Sequence, residues 1–265
     1  MTDPRIKSRS DLEGIFASCR IVAALLDEIE ERIDTGVTTA ELDAWAEQFI
    51  IKHGATPSFK GYRGFPATLC LSVNDEIVHG IPGSKVLREG DILKVDVGAN
   101  LGGYFSDSAR TYPVGLISEE AERLLDVTKQ ALEDGIRATE ANSYLTDIGR
   151  AISHRIQSSG YKVIRDLTGH GVGFAQHEPP TVYNFPVPEE DMRLRNGMVL
   201  AIEPMAAIGT ERIYCASDGW TFRTLDGSLA AHFEHTVAVW DGRPVVLTRT
   251  GDEVALEYFG ARARS

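Results

Sequence analysis

Cysteine is scarce. Cys19, Cys70 and Cys215 are the whole complement of 265 residues, an odd number with no CxxC or paired spacing, which speaks against a disulfide framework and against a cysteine-built structural zinc site. A reducing cytoplasm is the expected setting. Basic residues are also in deficit, 27 Lys and Arg against 39 Asp and Glu for a net charge of −12. That balance argues against a nucleic-acid backbone or an anionic membrane as main partner. Long apolar runs are missing too: no window approaches the eighteen residues of a membrane span, and the opening MTDPRIKSRSDLEG lacks the apolar core of a signal peptide. What is present is a 43% hydrophobic chain with no low-complexity segment, long enough for a sizeable core.

Periodicity predicts a first helix over Ile6 to Arg32, with Leu12, Phe16, Cys19, Val22, Leu26 and Ile29 recurring at helical spacing. Thr38 and Glu41 form a capping box for a second helix carrying Leu42, Trp45 and Phe49 and ending at Gly54, with His53 in its last turn. Ser58 to Ile81 reads as an aromatic loop followed by a strand, with His79 at the strand end. Asp91 to Tyr112 reads as a hairpin whose Gly-rich turn brings Asp107 back beside Asp96. Two more helices are expected, from Ser118 to about Ala138 and from about Leu145 to Ser158, the latter with His154 facing solvent.

The chemistry concentrates in LTGHGVGFAQH, residues 167–177, where His170 and His177 stand among three glycines. Each glycine weakens a helix by about 1 kcal/mol relative to Ala, so this is a strand or loop that lets the backbone approach a ligand. Asp96, Asp107, Glu203 and Glu234 each lie within or beside an apolar, strand-like run. An uncompensated carboxylate there protonates or finds a partner, because two unit charges about 4 Å apart repel by roughly 4 kcal/mol at an effective dielectric near 20. If the four converge, two divalent cations match their formal charge, and His170 supplies a nitrogen ligand.

The motifs VHGIP around His79, KVDVGANLGGYFSDSART around Asp96 and Asp107, LTGHGVGFAQH, AIEPM around Glu203, and the closing WTFRTLDGSLAAHFEHT resemble bacterial type I methionine aminopeptidases, in order and spacing from about Ser10 to Leu247. The resemblance implies an α+β pita-bread fold, a curved antiparallel inner sheet covered by helices. One metallopeptidase domain would span 1–265, with pseudo-symmetric halves roughly 10–140 and 141–250. It also implies a cytoplasmic monomer that removes the initiator methionine from nascent polypeptides when the second residue is small.

By that resemblance Asp96, Asp107 and Glu234 hold or bridge two divalent ions (Co, Mn, Fe or Zn, which such a site does not distinguish), and His170 and Glu203 complete one ion's shell. Glu203 is similar to the family's general base, His177 would donate to the scissile carbonyl, and His79 would contact the substrate backbone. Phe59, Tyr62, Phe65, Cys70 and Trp220 fall where the family builds its methionine pocket. Phe59 and Arg63 stand where relatives commonly show a cysteine and a histidine, Phe65 where a tyrosine is common, and Gln176 where an aromatic is usual. Gln176 is therefore expected to weaken selection for methionine.

Three other readings compete. Proline-specific peptidases of the superfamily would share the ligands, but they usually carry an extra N-terminal domain, and only 95 residues precede Asp96. A non-catalytic relative would have lost ligands, and none is missing. Type II enzymes carry an insertion in the C-terminal half, where only 32 residues separate His170 from Glu203.

Overall fold

The helices begin where short polar side chains satisfy free backbone N–H groups. The computed structural model describes residues 3–260. In it α1 (Arg9–Glu30) starts at Ser8, whose hydroxyl accepts from the Asp11 N–H while the Asp11 carboxylate accepts from the Ser8 N–H. The expected helix over 6–32 is thus trimmed at both ends. Thr38 and Glu41 make the same reciprocal pair for α2 (Thr39–Lys52), and Ser118 caps α3 (Glu119–Arg137). The helix α4 (Leu145–Ser158) has the expected bounds and leaves His154 exposed. His53 lays its ring on Phe49, centroids 4.2 Å apart. A fifth helix, α5 (Glu253–Phe259), capped by Asp252, was not anticipated.

The strands form four sheets among the described residues, and all their pairings are antiparallel. The hairpin Ile92–Leu101 and Tyr104–Pro113 joins Thr56–Pro57 and Leu69–Val73 in one sheet. A five-stranded sheet runs Arg243–Val246, His235–Trp240, Val199–Ile202, Gly169–Gly171, Glu178–Val182. Alternate residues of a strand face opposite sides, so Val95 and Val97 pack outward with Leu25, Leu26 and Leu42 of α1 and α2 while Asp96 faces inward. Leu200, Ile202 and Val237 likewise meet Leu124, Ile148 and Ile152 of α3 and α4. No helix among the described residues is long and apolar enough to cross a membrane.

Two features position the site. Hydroxyls join the sheets along the midline. Ser108 Oγ donates to the Glu234 carbonyl at 2.7 Å, Thr236 Oγ1 to the Asp107 carbonyl at 2.7 Å, and Thr111 Oγ1 to the His232 carbonyl at 2.7 Å. The Glu234 N–H reaches the Ala109 carbonyl at 2.8 Å. Second, the two glutamates do not sit within strands, as the apolar runs suggested. Glu203 lies in a break between Val199–Ile202 and Met205–Ala207, and Glu234 in a matching break between Ala230–His232 and His235–Trp240. The chains pair on both sides of the break, His235 with Ile202 and Met205 with His232. Both acids therefore leave the ladder where one sheet passes into the next.

Candidate metal centre

The hairpin sets the first pair of acids. Asp107 pairs with Gly98 and Asp96 with Ala109, so the two acids are diagonal neighbours on one face rather than directly opposed. Gly98 has a steric reason to be glycine: a Cβ there would lie 2.8 Å from Phe59 Cε1, 3.0 Å from Gln176 Oε1, and closer still to Ser58 Oγ.

His170, on the short strand Gly169–Gly171, brings Nε2 to 3.5 Å from Asp107 Oδ2 and 3.6 Å from Glu203 Oε1. Its Nδ1 faces the Gly171 carbonyl at 2.8 Å, which fixes the ring with Nε2 toward the acids. Asp107, His170 and Glu234 each offer a ligand atom within 4.8 Å of the others. Asp96, Asp107 and Glu234 are buried, and Asp96 Oδ1, Asp107 Oδ1 and Glu234 Oε1 have no hydrogen-bond partner. Buried carboxylate oxygens without partners are what a divalent ion satisfies, so the donor set fits a metal.

Electrostatics agree. Burial, reinforced by the neighbouring Asp107 carboxylate, pushes Asp96, Glu203 and Glu234 well above the usual carboxylate range. Asp107 is also raised by burial, but His170 and Gln176 beside it oppose the shift. Such crowding of acids marks functional sites more than structural ones.

The acids and His170 line a cavity of about 270 Å³ whose other walls include Phe59, Tyr62, Phe65, Cys70 and Trp220, with His79 and His177 alongside. The expected ligands, both site histidines and the five expected pocket residues thus line one cavity. Phe65 and Trp220 meet edge to face with centroids 5.2 Å apart, and Tyr62 stacks on His177 at 5.2 Å. His177 is open to the cavity on one side, yet partial burial, with His170 and Arg63 nearby, lowers its pKa. Burial takes His79 down to about 4. His79 also adopts φ 59°, left-handed strain of the kind that concentrates at functional positions.

Two residues depart from the sequence reading. Gln176 lies outside the pocket wall: it is buried and its Nε2 donates to Asp107 Oδ2 at 2.5 Å. His232 was overlooked. Fully buried, it brings Nε2 to 3.5 Å from Glu203 Oε2, neither ring nitrogen makes a hydrogen bond, and burial lowers its pKa to about 3. The available signal was its place in HFEHT, two residues before Glu234.

Comparison with known proteins agrees with this geometry. The family model described as "Metallopeptidase family M24" matches residues 13–241. A methionine aminopeptidase of Clostridium acetobutylicum is 48% identical over 244 residues, covering 92% of this chain and 98% of that protein. The crystal structure of a methionine aminopeptidase from Thermotoga maritima superposes with a TM-score of 0.91 at 40% identity, covering 93% of this chain and all of that one. A prolidase from Pyrococcus furiosus, 23% identical with a TM-score of 0.75, shares the fold, but the match takes in only 65% of its length. The fold is the pita-bread fold expected from the sequence.

Proposed function

The chain belongs to metallopeptidase family M24, and from that premise we propose that it is a metal-dependent methionine aminopeptidase. It removes the N-terminal methionine of newly made polypeptides when the second residue is small. The observation that carries this reading is that Asp96, Asp107, His170, Glu203 and Glu234 line one cavity that Phe59, Tyr62, Phe65 and Trp220 also line. Prolidase activity is disfavoured because the chain matches methionine aminopeptidases over nearly their whole length and a prolidase over only 65% of its own.

In this reading Asp96, Asp107 and Glu234 hold two divalent ions, with His170 and Glu203 completing the shell of one. When bound, the ions supply Lewis-acid activation of a water, lowering its pKa toward about 7. Glu203 takes up a proton and delivers it to the leaving amine, within reach of the other acids across the same cavity. His177, kept neutral by its surroundings and braced by Tyr62, donates its ring N–H to the scissile carbonyl oxygen as charge develops there. His79, neutral as well, contacts the peptide backbone. Phe59, Phe65 and Trp220 take the methionine side chain, whose sulfur gains about 0.3–1.5 kcal/mol from an aromatic contact.

The test is hydrolysis of Met-Ala-Ser against Ala-Pro by the metal-reconstituted protein. Release of methionine from the first, with little turnover of the second, is expected. A preference for Ala-Pro would replace this reading with a proline-specific one.

A further inference from the structure

We propose that Gln176 is a positioning residue of the metal centre, an uncharged donor that orients the Asp107 carboxylate toward the ions rather than a residue that selects methionine. The inference rests on Asp107 being a metal ligand, as proposed above. Gln176 Nε2 donates to Asp107 Oδ2 at 2.5 Å, while Asp107 Oδ1, with no protein partner, is left for coordination. Outer partners of this kind fix the orientation of a ligating group.

The residue type follows from the charges around it. A lysine or arginine here would compete with the cations for Asp107, and a glutamate would add a further acid to a cluster that already includes Asp96, Asp107, Glu203 and Glu234. An amide donates a hydrogen bond without changing that balance. Its surroundings hold it in place. The side chain is buried; its Oε1 packs against Gly98 and makes no hydrogen bond, so the bond to Asp107 is the one that orients the amide. Turning the amide over would set Oε1, an acceptor, against the Asp107 carboxylate, also an acceptor.

The experiment compares the wild type, Gln176→Met and Asp107→Asn as full-length proteins, stripped of metal and titrated with Co(II) by calorimetry and visible absorption. Turnover of Met-Ala-Ser and of its norleucine counterpart is measured in parallel. Gln176→Met should bind Co(II) about 10–100-fold more weakly, the usual effect of losing an outer-shell partner. Its Co(II) spectrum should change, and its preference between methionine and norleucine should stay that of the wild type. Wild-type affinity and spectrum in Gln176→Met, with Asp107→Asn impaired, would overturn this inference alone. Wild-type affinity in Asp107→Asn would overturn the ligand assignment beneath it. Should Gln176→Met fail to fold, the Gln176 side-chain amide of the wild type is followed by NMR: slow hydrogen exchange supports the bond, and exchange at the rate of a solvent-exposed amide refutes it.

Discussion

Replacing Gly98 with alanine adds one methyl group at the point where pocket and metal centre touch. The backbone itself would welcome it, since glycine inside a strand is about 0.5–1 kcal/mol less stable than alanine. The added carbon, however, lies 2.8 Å from Phe59 Cε1 and 3.0 Å from Gln176 Oε1, and closer to Ser58 Oγ. Overpacking of that kind costs about 1–3 kcal/mol, so the net loss is up to about 2.5 kcal/mol, or up to roughly 10 °C in Tm for a chain of this size. Relief requires Phe59 to move into the cavity or Gln176 to leave Asp107. The first removes a pocket contact worth roughly 1–3 kcal/mol, at least about tenfold in kcat/KM, and the second weakens metal binding. Differential scanning fluorimetry and kcat/KM for Met-Ala-Ser at saturating metal read both effects. Gly83→Ala is the control, since no atom lies within 4 Å of its added methyl. If Gly98→Ala matched the wild type in Tm and kcat/KM, the packing described around Asp107 would be wrong.

Three further outcomes are expected. Glu203→Gln should lower kcat by at least about 10²-fold, whereas His177→Ala should lose turnover with its metals still bound, and calorimetry showing no metal uptake by the latter would undo that division of roles. Asp96, Glu203 and Glu234 have raised proton affinities, so the metal-free fold holds protons that the unfolded chain has released above pH about 4, and its stability declines as pH rises through the raised values; ions replace those protons. The Tm gained on adding metal should therefore grow from pH 5 to 8, and a gain independent of pH would count against the clustered acids. Lys7→Ala should cost up to about 3 kcal/mol in urea unfolding, because it strips a buried partner from Glu178; burial already lowers the Lys7 pKa to about 7, and Arg5, 3.3 Å away and half exposed, remains.

The sequence exposed those parts of the molecule whose causes are local. Ser118, Thr38 and Glu41 cap helices within three residues of themselves, and the bounds of α4 followed from apolar spacing and from Gly160 beyond its end. The Gly-rich turn after Asp96 returned Asp107 to the same face. What stayed hidden depends on distant partners. An apolar run does not disclose where a strand changes sheets, so the breaks at Glu203 and Glu234 were invisible in AIEPM and HFEHT. Nothing near Lys7 points to Glu178, which it pairs with across 171 positions. Lys94 alternates like a surface residue, yet it is buried and donates to the carbonyls of Asn74 and Ala230 at 2.6 and 3.0 Å. Gln176 likewise reads as a pocket residue because it precedes His177, whereas its side chain turns to Asp107.

If the buried acids and His170 form a metal centre, the protein should not act without its ions. Exhaustive chelation followed by stepwise return of Mn(II) or Co(II), with methionine release from Met-Ala-Ser measured at each step, tests it most directly. The stripped protein should be inactive and less stable, and both properties should return together as metal binds. Full turnover by the metal-free protein would contradict the account.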